Sequence, residues 1–142
     1  MMLVDTNVYV NAFRPENDRH TEYRSWLDDT INGLQAYAVA DFVINGFIRI
    51  VTNPRAYKEP ASIGMALEFA GYVRNQPHAI VVTPGERHWE IFSKLCGSTP
   101  AIGKLVPDAY LAALAIEHGC EFVTCDGDFA KFPGLRWRHP LD

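Results

Sequence analysis

Cysteine is scarce in this chain: Cys96, Cys120 and Cys125 are the only three in 142 residues, and no two stand in a CxxC spacing. An odd count without zinc-ligand spacing argues against a disulfide-stapled scaffold and for free thiols in a reducing compartment. Cys120 and Cys125 flank Phe122 and Val123, as small buried hydrophobes would. Long hydrophobic runs are missing too, since no segment approaches the ~18 apolar residues of a membrane span. Met1 to Val4 run straight into Asp5, without the basic start and apolar stretch of a signal peptide. The chain therefore reads as cytoplasmic and free of membrane. Positive charge is also short, with 13 Lys and Arg against 17 Asp and Glu for a net −4. That excludes a protein that coats nucleic acid with a broad basic face. It leaves room for a nuclease whose acids hold a cation. Repeats, low-complexity tracts and interdomain linkers are absent as well.

What is present describes one globular domain over residues 1–142, with 48% hydrophobic and 21% charged residues. Met2-Leu3-Val4 reads as a short buried strand that ends in Asp5-Thr6-Asn7. Helical spacing follows in His20 to Ile31, then a strand over Gln35 to Val39. A helix from Ala40 to Thr52 puts Val43, Phe47, Ile50 and Val51 on one face and stops at Asn53-Pro54. Ala61 to Asn75 and Glu86 to Leu95 read as helices around an apolar strand at Ala79 to Val82. Gly97 to Val106 reads as a loop, and Pro107 opens a helix that runs to Gly119. Glu121 to Cys125 is a last buried strand, and Leu135 to Arg138 a short edge strand. Alternating strands and helices predict an α/β domain with a mainly parallel sheet covered on both faces.

The position of the acids carries the chemistry. Asp5 and Asp126 each follow a predicted buried strand, and in a parallel sheet those ends share one edge, where ligands bind. Asp108 sits in the first turn of a helix, where the macrodipole favours a negative group. Three acids from distant parts of the chain are thus expected to converge on one pocket. Hard cations such as Mg²⁺ or Mn²⁺ take such oxygen ligands, and can polarise a phosphoryl group and generate hydroxide. Asp128 is either a further ligand or a cap for the segment at Phe129. Thr6, Asn7 and Thr124 flank the acids and either orient carboxylates and waters or serve as turn and cap residues. The five histidines fall in no metal-ligand spacing and read as surface or partly packed.

Four segments resemble PIN-domain proteins, and most closely the VapC ribonuclease toxins of bacterial toxin–antitoxin pairs. They are Leu3-Val4-Asp5-Thr6-Asn7, Phe47 to Arg55, Pro107 to Ala115, and Val123 to Phe129 with Phe132 to Leu135. Each is weak alone; their order and spacing over nearly the full chain are more specific. The resemblance implies a PIN-like α/β/α sandwich and Mg²⁺- or Mn²⁺-dependent endoribonuclease activity. It also implies a homodimer and a cognate VapB-type antitoxin that blocks the site. Asp5, Asp108 and Asp126 match the family's acids, and Asp128 a frequent companion. One departure stands out: where the family commonly carries a Glu, this chain has Gly46. Asp41 is a candidate substitute, although five residues of helix turn it some 140° from position 46. Otherwise Gly46 leaves room for water or substrate, and the chain could serve as a catalytically weak module that binds RNA or antitoxin.

RNA needs cations. Candidates are Arg14, Arg19, Arg49, Arg55, Lys58 and Lys104. Arg49, polar within an apolar helix, is expected to pair with an acid in the core or, failing that, to contact phosphate. Tyr23, Trp26, Phe47 and Tyr72 read as core aromatics in preference to a partner surface. The particular RNA is not legible, because RNA is read largely through shape and single-stranded loops.

Overall fold

Met2-Leu3-Val4 forms the central strand, β1 (Met2–Val4), of a five-stranded sheet in a computed structural model describing residues 1–142. Its run of apolar side chains suits a strand with neighbours on both sides, and Leu3 and Val4 are buried. The remaining strands are β2 (Tyr37–Val39), β3 (Ala79–Val81), β4 (Glu121–Val123) and β5 (Trp137–Arg138). They lie in the order β3-β2-β1-β4-β5, and all four pairings are parallel. The helices are α1 (Thr6–Phe13), α2 (His20–Asn32), α3 (Asp41–Val51), α4 (Ile63–Arg74), α5 (His88–Ser98) and α6 (Leu105–Glu117). A 3₁₀ turn spans Gly127–Lys131. The expected α/β class with a parallel sheet holds.

The order of strands explains where a ligand can sit. From β1 the chain steps outward to β2 and β3, then returns through α5 and α6 to place β4 on the other side of β1. Right-handed crossovers in opposite directions send the connecting helices to opposite faces. Accordingly α1 packs on α2 and α3, and α3 on α4, while α5 packs on α6. A crevice opens beyond the carboxyl ends of β1 and β4, where the winding direction reverses. One buried cluster, including Phe47, Phe122, Phe129 and Leu114, holds the layers together. Tyr23 and Phe47 are buried, and Trp26 and Tyr72 pack against this cluster, as expected of core aromatics.

Several boundaries differ from the sequence reading. Thr6–Phe13 is a helix that the reading passed over: Asp5 caps it, and Val8, Tyr9, Val10 and Ala12 are buried beneath it. The anticipated loop from Gly97 to Val106 is shorter, because α5 continues to Ser98 and α6 begins at Leu105. Pro107 therefore occupies the third helical position, where its missing N–H still leaves no intrahelical bond unmade.

Candidate metal centre

Asp5 is the first residue beyond β1, and two hydrogen bonds hold its carboxylate. Oδ1 accepts from the Thr6 backbone N–H at 2.7 Å, which caps α1, and Oδ2 accepts from Thr124 Oγ1 at 2.7 Å. Thr124 is the first residue beyond β4, wholly buried, and its hydroxyl joins the two strand ends. Besides donating to Asp5, Thr124 Oγ1 accepts from the Asp126 backbone N–H at 3.0 Å and from Asn7 Nδ2 at 3.3 Å. Asn7 Oδ1 in turn accepts from the Cys125 N–H at 3.1 Å. Thr6, Asn7 and Thr124 thus all act on the strand-end segments that carry Asp5 and Asp126. Asp126 caps the 3₁₀ turn by accepting from the Asp128 N–H at 2.9 Å. Asp108 arrives from the first turn of α6.

Asp5, Asp108 and Asp126 all line one pocket of about 890 Å³, which also takes in Asp41, Asn45 and Arg49 from α3. The acids feel one another. Burial, followed by the negative charges of Asp126 and Asp5, pushes the Asp108 carboxyl up to about 6, against a partial offset from Lys104. Burial also raises Asp5; the bonds from Thr124 and Thr6 oppose the rise and the Asp126 charge adds to it. Like charges held together in a half-dry pocket are poised to gain from a cation.

The profile of the PIN domain matches residues 2–135, nearly the whole chain. The chain belongs to the PIN-domain family. It is 41% identical to a VapC ribonuclease of Mycobacterium bovis over 142 residues, covering 100% of this chain and 97% of that protein. It is 37% identical to Ribonuclease VapC25 of Mycobacterium tuberculosis over 140 residues, covering 99% of each. Among solved structures, VapBC2 of Rickettsia felis bound to a promoter DNA fragment superposes with a TM-score of 0.70 at 16% identity, covering 97% of each chain. VapC20 of Mycobacterium tuberculosis, a sarcin-ricin loop cleaving toxin, superposes at 0.65 with 18% identity, covering 96% of this chain and 99% of that one.

The donor set of this PIN domain is all carboxylate oxygen, which suits a hard cation. No group of three or more His, Cys, Asp or Glu side chains is drawn together into a ready-made cage. Mg²⁺ is commonly bound through only one or two carboxylates while keeping several waters, so the residues fit such an ion. Asp128 stands outside the pocket lining, with its carboxylate 3.5 Å from Lys104 Nζ and 3.6 Å from Lys131 Nζ. Asp41 lines the pocket, but both its oxygens accept from Arg74 on α4, at 2.9 and 3.3 Å. That bond holds the Asp41 carboxyl below its ordinary value and turns it toward α4.

Gly46 lines the pocket beside Thr6. A Cβ there would lie 3.1 Å from Thr6 Oγ1, so α1 and α3 meet at this point, and Thr6 donates to the Val43 carbonyl at 3.1 Å.

The cations divide sharply. Arg14 is buried, bidentate to Glu16, bonded to the Glu59 carbonyl and stacked over Tyr57, so it organises the fold and offers no free guanidinium to phosphate. Arg19 pairs with Glu22. Arg55 and Lys58 are exposed, away from the pocket lining. Arg49 does not pair with a core acid, contrary to expectation; it is exposed and lines the pocket, as does Lys104. His88 departs from expectation too, being buried with Nε2 donating to the Tyr110 carbonyl at 3.0 Å. Phe42 and Asn45 also line the pocket and were passed over in the sequence reading. Their helical spacing with Arg49, at i, i+3 and i+7, was the signal available.

Proposed function

We propose that this PIN domain is a Mg²⁺- or Mn²⁺-dependent endoribonuclease of a toxin–antitoxin pair, inhibited by a cognate VapB-type antitoxin. One observation carries the reading: Asp5, Asp108 and Asp126 share a single pocket at the switch point of a parallel sheet, and their charges act on one another. The ribonuclease names of its relatives and the toxin–antitoxin complexes among its structural neighbours support the same conclusion. A divalent ion supplies Lewis acidity and an activated water in such a site. The chain's own residues hold the geometry. Asp5 is pinned on both oxygens, so its remaining lone pairs point in a fixed direction. Asp126 is tethered to the same threonine through its backbone N–H. Asp108, with the most responsive carboxyl, must lose its proton before the site can bind a cation.

The test is cleavage of RNA by the purified protein with Mg²⁺ or Mn²⁺, with a chelator, and in the variants Asp5→Ala and Asp108→Ala. Cleavage is expected to vanish in the last three while circular dichroism stays native. Residual cleavage at the wild-type rate in either variant would refute the assignment.

A second reading, a module that binds RNA or antitoxin with weak turnover, is favoured by the absence of a ready-made ligand cage and by Gly46 in place of an acid. Binding of RNA or antitoxin without any metal-stimulated turnover would select it.

A further inference from the structure

One part of the pocket lining is built from one face of α3. Phe42, Asn45 and Arg49 all line the pocket, and spacings of three and seven residues bring them to the same side of the helix. Phe42 is 48% exposed, an unusual placement for a phenyl ring. One of its faces rests on Tyr110, with ring centroids 4.9 Å apart and planes inclined by 31°. Tyr110 is itself fixed from behind, packed edge-on against buried His88 at 4.5 Å while its carbonyl accepts from that histidine. The ring of Phe42 is therefore held by a rigid stack and keeps its outer surface open to the pocket.

Arg49 follows at the far end of this face, roughly 10 Å along the helix axis, and has no carboxylate partner. The acid at the start of α3, Asp41, is already paired with Arg74 and offers little repulsion to an incoming phosphate. Lys104, 76% exposed and 3.5 Å from Asp128, supplies a second cation to the pocket lining. An aromatic surface, an amide and a guanidinium in sequence match a base face, a base edge and a phosphate. Unstacked bases of single-stranded RNA present those three chemistries together. Exposed Asn45 adds a free amide to this face, and Asn7 and Asn11 of α1 line the same pocket, a polar lining that suits base edges better than it suits the apolar stripe of a partner helix.

We infer that the α3 face is a reading strip for single-stranded RNA, with Phe42 stacking one unpaired base and Arg49 holding a phosphate beside the carboxylate pocket. The inference rests on the ribonuclease reading and names the form of RNA that site takes. Phe42 acts as a binding platform and takes no part in bond cleavage.

The test uses equilibrium binding of a labelled oligouridylate, and of an abasic ribose-phosphate oligomer of the same length, to the non-cleaving Asp108→Asn protein with Mg²⁺. In that background Phe42→Ala is expected to weaken oligouridylate binding by about 5- to 150-fold, the range of one lost stack. Phe42→Trp is expected to restore it. The abasic oligomer should bind Phe42→Ala and its parent equally. Arg49→Ala should weaken both probes alike and reduce the salt slope by about 0.7. Equal oligouridylate affinity with and without the Phe42 ring would overturn the inference, as would an equal loss for both probes. Failure of the parent to bind oligouridylate would overturn it as well. If wild-type protein cleaves no RNA while the Phe42 pattern appears, the nuclease reading fails and the reading strip stands.

Discussion

Asp108 shows how much a single residue's surroundings decide. On the sequence it is an ordinary first-turn helix acid, and its position says nothing of the neighbours that set its chemistry. Packing surrounds it with partial burial and the charges of Asp126 and Asp5, which raise its carboxyl from 3.8 to about 6. A folded-state value above the unfolded one means that the group stabilises the fold most below about 3.8. That contribution is lost as pH rises through about 6. Near neutral pH without metal, the ionised Asp108 therefore opposes folding. Replacing it by asparagine is expected to raise the metal-free melting temperature there by on the order of 2 °C, with the gain vanishing below about pH 4. Added Mg²⁺ should then raise the melting temperature of wild type while leaving Asp108→Asn largely unmoved. Thermal melts across pH, with and without metal, check both parts; a variant less stable than wild type near neutral pH would contradict the electrostatic account.

At the scale of elements, the long helices were legible and α1 was not. The Val43, Phe47, Ile50 and Val51 stripe announces α3 through its period, and the short apolar runs announce β1 and β4. Thr6–Phe13 carries Val, Tyr and Asn with little intrinsic helical preference, and its stability comes from the Asp5 cap and from burial. The same helix bears on Gly46, which the sequence marked as a missing acid or as room for water or substrate. Thr6 on α1 approaches to 3.1 Å of where a Cβ would stand, so the glycine is a packing solution between α1 and α3. A double-mutant cycle tests this. In a Thr6→Ala background, Gly46→Ala should gain about 0.5–1 kcal/mol from helix propensity. In wild type the Thr6 side chain should cancel most of that gain. Urea denaturation of the four proteins measures the difference; an identical gain in both backgrounds would mean that the two side chains do not meet.

At the scale of the whole molecule, the proposed function requires a chain of net charge −4 to bind a polyanion. The acidic balance excluded a broad basic face on the sequence, and the fold shows why the number of cations is a poor guide to those available. Arg14, Arg19, Arg24, Arg74 and Arg138 are all engaged with carboxylates. Of the cations singled out on the sequence, Arg49 and Lys104 are the two that line the carboxylate pocket. Spacing could not separate them, because pairing depends on which distant residues the fold brings alongside. Each phosphate neutralised on a single strand contributes about −0.7 to the slope of log affinity against log salt, so two contacts predict a slope of about −1.4. Titrating a single-stranded RNA onto the non-cleaving Asp108→Asn protein over a range of potassium chloride, at fixed Mg²⁺, measures it. A slope steeper than about −3 would require phosphate contacts beyond this pocket, with exposed Arg55 and Lys58 the first residues to replace. A shallow slope would mean that RNA binding by this variant depends on bases far more than on surface charge.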